Sequence, residues 1–162
     1  MLRKTLAALM TVGLLAVAAQ GLDAQVRFGG QLNIADETDV GLGPRIALDL
    51  TDTGAPLQVV GTWDLYCPDQ DALDYWELNG NLVYRFELEE TDAVVPYGGG
   101  GLNVARFDVE TPGGDEVGDT EVGVNFLGGV EFPLVSLSPF VEFRVTAEGG
   151  EQFYVTGGVL VP

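Results

Sequence analysis

Beyond residue 25, apolar and polar side chains alternate with a period of two through nearly the whole chain. Successive side chains of an extended strand point to opposite faces, so this pattern specifies sheet with one apolar and one polar face. No segment in that stretch holds a 3.6-residue apolar period for three turns. The alternation predicts strands over 26–35, 39–51, 56–66, 73–88, 93–109, 120–133, 138–147 and 151–161. The last two are the cleanest: Val141, Phe143, Val145 and Ala147 alternate with Glu142, Arg144, Thr146 and Glu148, and Phe153, Val155, Val159 and Val161 alternate with Gln152, Tyr154 and Thr156. The fifth is the weakest. If Tyr97, Ala105, Phe107 and Val109 share the apolar face, Asn103 falls on the wrong side.

The first residues have a different character. Arg3 and Lys4 precede an apolar run from Leu6 to Ala19 that is too short to span a bilayer, followed by small residues. This reads as a secretory signal over 1–24, cleaved after Ala24 or alternatively after Ala18 or Ala19, which leaves 25–162 as one domain. The net charge is −18, and all acidic residues but Asp23 lie beyond the leader, against five arginines there. That balance excludes nucleic acid as a partner, and excludes a basic patch for anionic membrane surfaces. Cys67 is the single cysteine, so no internal disulfide can form.

Arg27, Arg45, Arg85, Arg106 and Arg144 all fall in the polar set. They share it with Asp49, Asp64, Glu77, Glu87, Asp108, Glu121, Glu131 and Glu142, and with neutral Gln31, Asn33, Gln58, Thr62, Asn79, Asn81 and Asn125. Alternation alone fits two closed barrels of opposite sense. A soluble carrier lines a ligand cavity with its apolar stripe; a membrane barrel turns that stripe to lipid. Three observations favour lipid. A wet surface of this size would carry lysine, yet none follows Lys4, whereas arginine suits buried carboxylate pairs. Aromatic residues of the apolar set gather toward strand ends as two belts, Phe28, Phe86, Tyr97, Phe132 and Phe143 at one rim and Trp63, Trp76, Phe107 and Phe153 nearer the other. No strand carries a charge in its apolar set, where a lipid-facing basic charge would cost about 2–4 kcal/mol at mid-depth.

The segments Pro96-Tyr97-Gly98-Gly99-Gly100-Gly101-Leu102-Asn103-Val104-Ala105-Arg106-Phe107, Gly128-Gly129-Val130-Glu131-Phe132-Pro133-Leu134 and Ser138-Pro139-Phe140-Val141-Glu142-Phe143-Arg144 resemble strands of the small outer-membrane β-barrel superfamily, which includes the OmpA transmembrane domain and the OmpX-like proteins. The resemblance covers essentially all of 25–162. It implies an all-β, eight-stranded antiparallel up-and-down transmembrane barrel in the cell outer membrane, surrounded by outer-membrane lipid and inserted by the barrel insertion machinery. An even strand number suits such barrels. Members of this group usually end in an aromatic residue read by that machinery; this chain ends Val159-Leu160-Val161-Pro162. The links near 36–38, 68–72 and 111–119, with the turn at 149–150, would be extracellular and include the longest loop; those near 51–55, 89–92 and 134–137 would be periplasmic.

An eight-stranded lumen is only wide enough for side chains to fill. The polar set therefore reads either as a plug of arginine–carboxylate pairs, or as a narrow cation-selective path gated by partner exchange. At the extracellular rim, Asp36, Glu37, Asp39, Asp69, Asp71, Asp74, Asp115, Glu116, Asp119, Glu148 and Glu151 form an acidic fringe. Oxygen ligands suit Ca²⁺ or Mg²⁺, which could bridge this fringe to anionic headgroups, but EF-hand spacing is missing and a solvated acidic surface is the simpler reading. The run Gly98–Gly101 lacks the Lys-Ser/Thr ending and the following helix of a phosphate loop, so no cofactor is expected. Enzymes built on such barrels lean on histidine. This chain has none, so a Ser/His/Asp arrangement is impossible and no catalytic site is expected.

Overall fold

In the computed structural model, the described residues are 25–36, 39–50, 54–67, 73–88, 93–110, 116–148 and 152–161. The expected leader over 1–24 lies outside them, as do the turn at 149–150 and the rim acids Glu37, Asp69, Asp71, Asp115 and Glu151. The strands are β1 (Gln25–Ala35), β2 (Asp39–Leu50), β3 (Leu57–Cys67), β4 (Leu73–Arg85), β5 (Val95–Glu110), β6 (Glu116–Glu131), β7 (Ser138–Ala147) and β8 (Gln152–Val161). Each pairs antiparallel with the next, and β8 returns to β1, closing an up-and-down barrel with no free edge. The all-β class is the one the alternation predicts, and the eight-stranded antiparallel barrel is the one the resemblance implies.

Ladder pairs define two rims. Leu50↔Leu57, Arg85↔Tyr97, Glu131↔Phe140 and Phe28↔Val161 lie at the rim where β1 starts, the N-terminal rim. Ala35↔Asp39, Tyr66↔Tyr75, Glu110↔Glu116 and Thr146↔Gln152 lie at the far rim. Two boundaries differ from expectation by three residues or more. Strand β6 begins at Glu116 rather than 120, because the ladder continues through Asp108↔Gly118 to Glu110↔Glu116; the 111–119 link shrinks accordingly, and Asp119 becomes a strand residue opposite Phe107. Strand β4 ends at Arg85, so Glu87 is exposed on the N-terminal rim instead of facing the lumen.

Burial runs inside out relative to a water-soluble barrel. Leu32, Ile34, Leu102, Val122 and Phe126 are each about 60% exposed on the outer face, while Asp64 and Glu77 are wholly buried in the lumen. The lumen is not purely polar, however. Val60, Val83, Leu127, Phe140 and Leu160 pack there with Tyr97 in an apolar layer. Close packing of large rings requires glycine opposite them: a Cβ on Gly129 would lie 2.7 Å from the Tyr97 hydroxyl, and one on Gly158 would lie 2.6 Å from the Phe140 ring.

Strand β5 is the main correction. Odd positions face inward: Tyr97, Asn103 and Ala105 are buried, and Phe107 stacks on the buried Tyr75 at 4.5 Å. Directly paired residues share a face, and Tyr75↔Phe107 and Asn79↔Asn103 set the parity. Tyr97 and Phe107 therefore do not belong to lipid-facing belts. Arg106 and Asp108 leave the lumen for the outer face, where Arg106 sits beside Trp76 and Thr120 near the far rim. The glycines 98–101 carry no side chain to mark a face, and Phe107 and Arg106 taken alone suggest the opposite parity.

Candidate functional site

The lumen is built from strand positions that alternate inward on every strand, so charges distant in sequence meet across it. At the N-terminal rim two arginines and two carboxylates form a closed ring. Arg27 donates to Glu131 (2.5 and 3.3 Å) and to Asp49 (3.2 Å); Arg85 donates to Asp49 (3.1 Å) and Glu131 (3.4 Å). Gln58 adds a 2.7 Å bond to Asp49. Each member touches two opposite charges. A pocket of about 330 Å³ opens at this mouth, lined by Gln25, Asp49, Arg85 and Glu87 among others.

Deeper in, Arg45 donates to Glu142 at 2.7 Å and to Gln31 at 3.1 Å, and lies 4.2 Å over the Phe140 ring. The Tyr97 hydroxyl donates to Glu142 at 2.9 Å. Asp64 has a different solution. Gln31, Asn33 and Thr62 donate to it at 2.7–2.8 Å, with Asn79 at 3.3 Å, so neutral dipoles solvate this carboxylate. Asn79 also accepts from Asn103 and Asn125, each at 2.9 Å, in a cross-lumen amide ladder.

Toward the far rim the network converges on Glu77. Arg144 donates to it at 2.8 Å, and the hydroxyls of Tyr75 (2.5 Å), Tyr66 (3.4 Å) and Tyr154 all donate to the same carboxylate. The Arg144 guanidinium also lies 4.0 Å over the Tyr154 ring. A tyrosine fits here because its ring fills the lumen while its hydroxyl satisfies the charge. Among the described residues, Arg45 Nε, Arg144 Nε and Asn103 Oδ1 have no hydrogen-bond partner.

The structure thus places Arg27, Arg45, Asp49, Asp64, Glu77, Arg85, Glu131, Glu142 and Arg144 in contact networks inside the barrel. Glu121 is half-buried opposite Ala105, and among the described residues it stands outside those networks. Glu87, Arg106 and Asp108 lie elsewhere; Arg106 and Asp108 bind each other at 2.8 Å on the outer surface. Sequence reasoning missed the phenols of Tyr66, Tyr75, Tyr97 and Tyr154 as carboxylate donors. The available signal was tyrosine, rather than phenylalanine, at inward positions.

Among the aromatics of the outer face, Phe28, Phe86 and Phe132 are exposed at the N-terminal rim, where Tyr84 joins Phe86 at 5.1 Å. Trp63 and Trp76 lie partly exposed on neighbouring strands, each paired with a leucine. Phe143 and Phe153, expected at opposite rims, stack at 6.2 Å and form one patch, because Val145↔Phe153 places them diagonally across one ladder. Among the described residues no group of three or more Cys, Asp or Glu side chains is arranged to hold a metal ion.

The fold is that of the small eight-stranded outer-membrane β-barrels. Neisserial surface protein A (NspA) is similar at 20% identity over 84% of this chain and 94% of that one, with a TM-score of 0.62. The N-terminal β-barrel domain of Pseudomonas aeruginosa OprF is similar at 14% identity over 86% and 98%, with a TM-score of 0.68. Ail, the attachment invasion locus protein of Yersinia pestis, is similar at 11% identity over 85% and 94%, with a TM-score of 0.54; it has also been solved with the heparin analogue sucrose octasulfate. No protein-family profile matches the chain. No curated protein matches it in sequence.

Proposed function

We propose that this chain is exported by its leader and resides in a cell outer membrane, as a barrel with a side-chain plug and a structural or surface-interaction role, without catalysis. The observation that carries this reading is the inverted burial. A belt of Leu, Ile, Val and Phe faces outward, and paired charges fill the inside. A soluble carrier of an apolar ligand needs the reverse. An exposed apolar belt of that extent supports contact with lipid rather than water.

Interaction would fall to the acidic far rim, where Asp36, Asp74, Asp119 and Glu148 are exposed. Such a rim repels a polyanion of the kind bound to Ail, so it favours a cationic partner, or an anionic headgroup bridged by Ca²⁺ or Mg²⁺. A narrow cation-conducting barrel is the second reading. It is favoured by the open pocket at the N-terminal mouth and by lumen carboxylates (Asp49, Asp64, Glu77, Glu131, Glu142) outnumbering lumen arginines (Arg27, Arg45, Arg85, Arg144).

Migration of outer-membrane-fraction protein on cold SDS gels, heated against unheated, tests the first reading. A mobility shift on boiling is the expected result; protein found in the soluble periplasmic fraction without a shift overturns it. Planar-bilayer recordings then separate plug from path. The plug predicts a silent wild type, and steady cation current from it establishes the second reading.

A further inference from the structure

We infer that the β6–β7 turn at the N-terminal rim is a membrane-docking lip that rests in the headgroup–acyl boundary of the adjacent leaflet. Turns at such a rim connect strands across water and are ordinarily polar, and the neighbouring links follow that habit. The 51–56 link contains Asp52, and the 86–94 link contains Glu87, Glu89, Glu90 and Asp92. The β6–β7 link differs. No charged residue occurs between Glu131 and Glu142, and its tip reads Phe132-Pro133-Leu134-Val135-Ser136-Leu137.

These side chains are not folded back onto the barrel. Val135 is completely exposed at 101%, and Leu134 is 62% exposed. In water this arrangement exposes apolar surface with no compensation. The lip is also continuous with the outer apolar band. Phe132 leads into it from β6, Val141 continues it on β7, and Val159, Val161 and Phe28 extend the same exposed column across β8 and β1.

Its backbone is prepared for a drier setting. The Phe132 N–H donates to the Pro139 carbonyl at 2.8 Å, the Leu134 N–H donates to the Leu137 carbonyl at 2.9 Å, and Pro133 and Pro139 have no N–H. Irregular backbone is excluded from the hydrocarbon centre, so the interface is the depth this turn fits. One apolar turn among charged ones makes the rim asymmetric, with its apolar surface concentrated on the β6–β7 side.

This inference rests on the membrane reading above, and the test separates their failures. In a Cys67→Ser background, single cysteines replacing Val135, Ala55 and Phe126 are labelled with a nitroxide. The labelled protein is folded into vesicles of phosphatidylethanolamine and phosphatidylglycerol, and accessibility to oxygen and to a water-soluble nickel chelate is measured. The expected result is a Val135 label shielded from nickel and enriched in oxygen, closer to the Phe126 label than to the Ala55 label. A Val135 label as nickel-accessible as the Ala55 label, with the Phe126 label still in lipid, overturns the lip and leaves the turn as a surface for a periplasmic protein. A nickel-accessible Phe126 label overturns the membrane reading itself.

Discussion

The two ends of the lumen neutralise charge in different ways. At the N-terminal mouth, Arg27, Arg85, Asp49 and Glu131 form a ring in which every charge has two opposite neighbours, and Arg85 retains 21% side-chain exposure. Toward the far rim, Glu77 is wholly buried and, among the described residues, depends on a single cation, Arg144, supplemented by the hydroxyls of Tyr66, Tyr75 and Tyr154. Redundancy with partial hydration makes the first arrangement tolerant. Burial with a single counter-charge makes the second brittle, because a charge stripped of its partner keeps its full desolvation cost.

Unfolding in urea from detergent micelles, followed by gel mobility, measures this contrast. Arg144→Ala is expected to cost the most, about 3–5 kcal/mol, since it leaves the Glu77 carboxylate buried without a cation. Tyr154→Phe, which removes one hydroxyl from the same carboxylate, is expected to cost roughly 1.5–3 kcal/mol. Arg85→Ala should cost about 1 kcal/mol, because Arg27 still holds both Asp49 and Glu131. Equal losses for Arg144→Ala and Arg85→Ala would remove the distinction between brittle and tolerant ends.

Arg106→Ala should have the smallest effect, under about 1 kcal/mol, as expected for a pair on the outer surface with Asp108. A loss as large as that of Arg144→Ala would return Arg106 to the lumen and reverse the parity assigned to β5.

How much of this was legible in the sequence varies with the strand. Where β-branched and aromatic residues alternate with charged or neutral polar residues, as in β7 and the first half of β8, both face and register direction could be read directly. Glu142 and Arg144 point inward there because a slip of one residue would expose both to lipid. Where glycine removes the pattern, as in β5, face assignment depended on Asn103, the one residue that disagreed, and the ladder with β4 resolved it in favour of Asn103. Tyrosine is a second source of ambiguity. Tyr84 faces outward and Tyr97 inward, and a ring with a hydroxyl suits a bilayer interface as well as a buried carboxylate.

By itself, then, the sequence determined a succession of strands with one apolar and one polar face, because a period of two is that of extended chain; the eight-stranded closure was what the family resemblance implied. It also determined that Arg27, Arg45, Arg85 and Arg144 would share one face with most of the strand carboxylates, since like periodicity places them there; Arg106 and Asp108 on β5 are the exception. Which cation meets which carboxylate was decided only by the tertiary structure. Arg27 and Glu131, or Glu77 and Arg144, lie on strands whose relative height is set by barrel closure and shear, a property of all eight ladders together that no single strand encodes.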